Sequence, residues 1–147
     1  MSCDRIKLTV SVCLLAAAAA LAGTPTASER ETHTFECIAA LDAKADDLAR
    51  QVRAGQAQLQ PLLLTTLEAG AAFIGNAYLQ GERDEARSQA LLATALQAQK
   101  ALSDAALVAR QAPCAQEGTQ LLSEADLIGR FVVSRLVQRR LHKLLEN

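Results

Sequence analysis

The chain has no tryptophan, one tyrosine and three phenylalanines among its 147 residues. A core without large aromatics must be built from aliphatic and small side chains. Methionine occurs once, at Met1, and histidine twice, at His33 and His142. These shortages exclude several classes of site. Beyond the first residue there is no methionine to serve as a haem axial ligand, and no Cys-x-x-Cys-His attaches haem covalently. No Glu-x-x-His pair is written, so the di-metal carboxylate site of helical bundles is not expected. His-Glu-x-x-His and Cys-x-x-Cys are missing as well. The glycines stand singly, which leaves no phosphate-cradling loop. Ser103-Asp104 and residues 123–126 offer hydroxyls with no histidine close in sequence to act as a base. β-branched residues never run beyond a pair, and Val132-Val133 falls in helical spacing, so nothing reads as a strand. The sequence therefore predicts neither an enzyme nor a bound cofactor or metal. Glu29, His33 and Glu36 could share a metal by helical spacing, but a site needs three or four convergent ligands, and an exposed first turn is the simpler reading.

What is present begins with a long uncharged run. Arg5 and Lys7 precede fifteen residues, 8–22, that carry no charge, and Ala20-Leu21-Ala22 places small residues where a signal peptidase cuts. Fifteen helical residues cover ~22 Å, short of a ~30 Å hydrocarbon core. Residues 1–22 are therefore expected to be a cleaved signal peptide and residues 23–27 a flexible tether. Residues 28–147 are then one helical domain, periplasmic or secreted. No later stretch reads as membrane-spanning, since residues 62–67 are interrupted by Thr65 and Thr66 and followed by Glu68. Losing two bases and one acid with the signal moves the net charge from −1 to −2. That balance lacks the basic excess of a nucleic-acid binder.

Cys3 and Cys13 leave with the signal, and Cys37 and Cys114 remain. In an oxidising compartment an isolated pair forms a disulfide, which is the expectation here.

Apolar periodicity predicts four helices. Ile38, Leu41, Ala45, Leu48 and Val52 form one stripe behind a capping box at Ser28–Glu31. Gly55 ends that helix, and Pro61 opens the next, with Leu59, Leu63, Leu67, Ile74 and Tyr78 in a row. A third is predicted over 82–111, rich in alanine and stopped by Pro113, followed by a loop over 114–118. The fourth carries Leu121, Ala125, Ile128, Val132 and Leu136, and ends in Leu141, Leu144 and Leu145. The stretch from Gly75 to Gly81, with Ala86, is similar to part of a tetratricopeptide repeat, but residues 109–113 do not repeat it; it reads as a helical hairpin. The fold class expected is all-α, a small four-helix bundle with one disulfide.

That plan contains a conflict. An up-down-up-down bundle places Cys114 at the far end from Cys37, because the first helix runs ~25 Å past Cys37, whereas bridged Cα atoms lie within ~7 Å. Keeping the disulfide means that the joint over 55–61 must redirect the chain instead of forming a simple hairpin.

Two surfaces carry the functional reading. Gly70, Phe73, Ile74, Gly75 and Tyr78 lie among alanines and could line a groove between helices for a small apolar ligand. Arg130, Arg135, Arg139, Arg140 and Lys143 form a basic end that could dock an anionic membrane surface or an acidic partner. The sequence favours a non-catalytic binding module whose partner is another protein. An envelope-associated factor and an apolar-ligand carrier are the alternatives.

Overall fold

The computed structural model describes residues 27–146, with side chains from Glu29 onward. The expected signal peptide, the tether up to residue 26 and the side chain of the capping Ser28 lie outside those residues. Ala27, the last residue assigned to the tether, is already helical. The described residues form five α-helices and no strand: α1 (Ala27–Arg53), α2 (Gln60–Leu79), α3 (Glu85–Lys100), α4 (Asp104–Glu124) and α5 (Leu127–Glu146), with one 3-10 turn at Ala57–Leu59.

The all-α class and the disulfide stand; the count of four helices is corrected to five. The predicted third helix divides at Ala101, Leu102 and Ser103, and the predicted fourth divides at Ala125 and Asp126, leaving Leu121 on α4 and Ile128 on α5. Ser103 takes an extended conformation, with ψ 157°, and its hydroxyl accepts from the Ala106 amide at 3.2 Å. This is an N-cap, and it starts α4. Pro113 does not stop a helix. It lies inside α4, which continues through the expected loop to Glu124. An interior proline costs about 3 kcal/mol in lost bonding and crowding. Here the next residue, Cys114, is joined covalently to Cys37, and Gly118 packs tightly one turn further on. Tertiary anchoring carries the helix through a position where propensity alone would end it.

The additional reversal also resolves the conflict over the cysteines. α1 and α2 form a plain antiparallel hairpin after all: Leu41 meets Ala69 and Phe73, while Ala45, Leu48 and Ala49 meet Leu63, Leu67 and Ala71. The joint over 55–61 turns through Gly55, whose φ of 99° favours glycine, and does not redirect the chain. α3 runs alongside α1, from the Arg87–Glu31 ion pair at 2.7 Å to Ala95 packed on Phe35 and Ala39. Arg87 is held above its usual pKa by its hydrogen bond to Glu31, with the charges of Glu31 and Glu82 adding to it. α4 then comes back. Arg110 lies 3.6 Å from Glu36, the Gln111 amide donates to the Ala40 carbonyl at 3.4 Å, and Glu117 reaches His33 at 2.7 Å. Cys114 is thereby brought opposite Cys37, with Cα atoms 5.2 Å apart.

α1 is the central helix and touches each of the other four. Its burial is correspondingly wide: Phe35, Cys37, Ala39, Ala40, Leu41, Ala45, Leu48 and Ala49 are all inside. The apolar stripe from Ile38 to Val52 marks only the larger side chains of that surface. The flanking alanines are what let neighbouring helices close in from several sides.

The expectation that no later stretch could span a membrane is also corrected. Ala57–Leu79 is long and apolar enough to cross one by length and composition. In the fold it packs against α1, α4 and α5, with Leu63, Thr66, Leu67, Ala69, Ala71, Ala72 and Phe73 buried. Thr66 satisfies its hydroxyl inside the helix by donating to the Leu62 carbonyl at 2.7 Å.

Candidate functional site: an apolar groove between α2 and α5

The residues proposed as a groove from sequence separate into three places. Phe73 is not part of a groove wall: it is 1% exposed and packs with Cys37, Leu41, Ala69 and Cys114 beside the disulfide. As the largest fully buried side chain it supplies bulk that the surrounding alanines lack. Gly70 lines a small inner cleft of about 180 Å³ between α1, α2 and α5. Gly75 and Tyr78 line an outer groove of about 440 Å³. Ile74 and Leu136 belong to both linings, so the two cavities adjoin.

The outer groove is walled by Ile74, Tyr78 and Leu79 of α2 and by Ile128, Val132 and Leu136 of α5, over a floor that includes Gly75 and Gly129. Its lining is apolar and much of it faces solvent: Tyr78 is 56% exposed, Leu79 66% and Ile128 72%. Leu127 and Phe131 extend the apolar surface along α5. Arg83 stands over the Tyr78 ring at 5.2 Å, and Arg135 over the Phe131 ring at 5.9 Å. A contiguous apolar surface of this kind, edged by cations, has the make-up of a binding site.

Local structure explains the exposure. Ile128 and Val132 were expected in the core stripe of the last helix. The core takes Leu144 as expected, but Val133 and Val137 in place of Ile128 and Val132. One residue along a helix is a rotation of ~100°, so placing Val133 and Val137 inward turns Ile128 and Val132 towards the groove. The start of α5 is fixed by Asp126, whose carboxylate accepts from the Gly129 amide at 2.7 Å. A sequence signal for this second face existed. Apolar residues at 127, 128, 131, 132, 133, 136 and 137 cover more of the helix circumference than one buried stripe needs.

The five cations of the basic end are not one docking face. Arg140 turns inward and bridges Asp42 at 2.8 Å and Asp46 at 2.9 Å on α1. Arg130 donates to the carbonyls of Ala125, at 3.0 Å, and Ser123, at 2.9 Å, where α4 ends. Arg135 and Arg139 remain outward, one turn apart, and Lys143 is exposed nearer the C-terminus. The acid-rich first helix and base-rich last helix do touch, through Arg140. The Arg53 guanidinium closes the other end of the pair by donating to the Leu144 carbonyl.

No family model, no curated protein and no solved structure matches this chain.

Proposed function

We propose that this is an exported, non-catalytic binding protein whose recognition site is the groove between α2 and α5. The occupant is the apolar edge of a partner protein's helix, flanked by acidic residues that meet Arg83 and Arg135. One observation carries the reading: Ile74, Tyr78, Leu79, Ile128 and Val132 leave a concave apolar surface uncovered, with Arg83 over Tyr78 and Arg135 over the neighbouring Phe131 of α5. Burying such a surface stabilises a complex by roughly 25 cal/mol per Å² of apolar area, before the costs of association. Concavity favours inserted side chains over a bilayer, which offers no projecting shape to fill a groove. With Arg140 paired to Asp42 and Asp46, the basic end has less charge to offer an anionic membrane. Export rests on the signal-like residues 1–22, and the Cys37–Cys114 disulfide is consistent with an oxidising compartment.

Calorimetric titration with a designed amphipathic helix tests this. A peptide with leucines at i, i+3, i+4 and i+7 and flanking glutamates should bind at least about tenfold tighter than its lysine-flanked counterpart. Ile128→Asp with Val132→Asp should abolish binding and preserve the fold. The reading fails if neither peptide binds. It fails equally if those two substitutions instead release the protein from anionic vesicles or from a self-associated dimer.

A further inference from the structure

A second constellation lies beside Phe73, where α4 meets α1. His33 and Cys37 stand at i and i+4 on α1, and Cys114 and Glu117 at i and i+3 on α4. The His33 Nε2, the Cys37 Sγ and a Glu117 carboxylate oxygen lie within 4.8 Å of one another. His33 Nε2 is 3.7 Å from Cys37 Sγ and 2.7 Å from Glu117 Oε2. The fourth group, Cys114 Sγ, is bonded to Cys37 Sγ. While that bond exists neither sulfur is a thiolate, and only His33 and Glu117 could coordinate an ion.

We infer that in the reduced protein these four residues form a tetrahedral site for a zinc-like divalent cation, so that the same junction is closed by a disulfide when oxidised and by a metal when reduced. The donor set is two thiolates, one imidazole and one carboxylate, a mixture suited to zinc. Zinc–sulfur bonds of about 2.3 Å and zinc–nitrogen or zinc–oxygen bonds of about 2.0–2.2 Å set ligand atoms about 3.3–3.8 Å apart in a tetrahedron. The His33–Cys37 distance already falls in that interval. The others need the two sulfurs and the His33–Glu117 pair to open around the ion, which side-chain rotation on two helices supplies. Access is available, because the His33 and Glu117 side chains are 54% and 45% exposed while both cysteines are buried behind them. Ala115 and Leu121 of α4 pack on the cluster of Leu41, Ala69 and Phe73, and the Arg110–Glu36 pair and the Gln111–Ala40 hydrogen bond join α4 to α1, all independently of the sulfur bond.

The chemistry balances with a dithiol as reductant. Its thiolate attacks one cysteine sulfur and forms a mixed disulfide. Its second thiol resolves that bond, leaving the dithiol as a cyclic disulfide and Cys37 and Cys114 as two thiols. Binding of the dication then displaces the two thiol protons to solvent, while His33 ligates through neutral Nε2.

The test uses Co²⁺ as a spectroscopic probe on the full-length chain, reduced with a phosphine and desalted anaerobically. One equivalent should bind, with intense tetrahedral d–d bands and thiolate-to-cobalt charge transfer, and Zn²⁺ should displace it. The oxidised protein should show neither feature. His33→Ala and Glu117→Gln, which keep both cysteines, should each weaken binding at least about tenfold. If reduction loosens the fold, one equivalent of Zn²⁺ should restore the helical circular dichroism. The inference is overturned by six-coordinate cobalt spectra, by equal affinity in the His33 and Glu117 variants, or by a reduced chain whose helicity is lost and does not return with zinc.

Discussion

Gly118 of α4 stands so close to Ala69 of α2 that a Cβ added to it would lie 2.5 Å from the Ala69 carbonyl oxygen and 2.8 Å from the Ala69 Cβ. Neither atom belongs to a side chain that can swing aside, so the contact fixes how near the two helices come. Gly118→Ala should therefore destabilise the protein by about 1–3 kcal/mol, the range for overfilling a packed interior. The same substitution at Gly70 and Gly75 meets Leu41 and Val133 at ordinary distances of 3.7 and 3.8 Å. Those two variants should be neutral or stabilised by up to about 1 kcal/mol, from the better helix propensity of alanine. Urea denaturation of the three variants separates the cases.

Removing the cross-link should cost as much or somewhat more. Cys37 and Cys114 are 77 residues apart in sequence, which gives an upper figure on the order of 4 kcal/mol from restriction of the unfolded chain. Cys37→Ser with Cys114→Ser should lower the midpoint of urea unfolding accordingly, and reductant should lower the midpoint of the parent chain but not of the variant.

Ser103 marks the point where reading the sequence and the folded chain part company. Its hydroxyl caps α4, and Ser103→Ala should cost about 1 kcal/mol, measured by thermal unfolding. The cap was written plainly, as Ser103-Asp104 ahead of an apolar run, but an unbroken alanine-rich pattern on both sides hid it. Pro113 then gave the opposite signal, a helix stop that packing and the Cys114 bond override. The helical class, the cysteine pair and the larger core residues from Leu41 to Leu67 were legible because each depends on local periodicity or chain chemistry. The position of Cys114 was not, because it depends on counting one reversal of the chain. The groove was half legible for a similar reason. Gly75 and Tyr78 could be singled out on α2, whereas Ile128 and Val132 could pass for core until Val133 and Val137 were seen to occupy it.

Arg140 ties α5 to α1 through two carboxylates, Asp42 and Asp46. All three groups remain partly in water, so the ion pairs are screened and each contributes modestly. Arg140→Gln should lower stability by about 1 kcal/mol at low ionic strength and by less in high salt. Thermal unfolding of the parent and the variant at two salt concentrations checks both the size and the screening.

Export is proposed, and the bond that an oxidising compartment would preserve joins Cys37 of α1 to Cys114 of α4. Intact mass analysis of the exported protein, alkylated before and after reduction, measures both at once. A product starting at Gly23, alkylated only after reduction and then at two sites, is the predicted result. A product starting at Met1 that takes up four alkyl groups without reduction, one at each of Cys3, Cys13, Cys37 and Cys114, would contradict it.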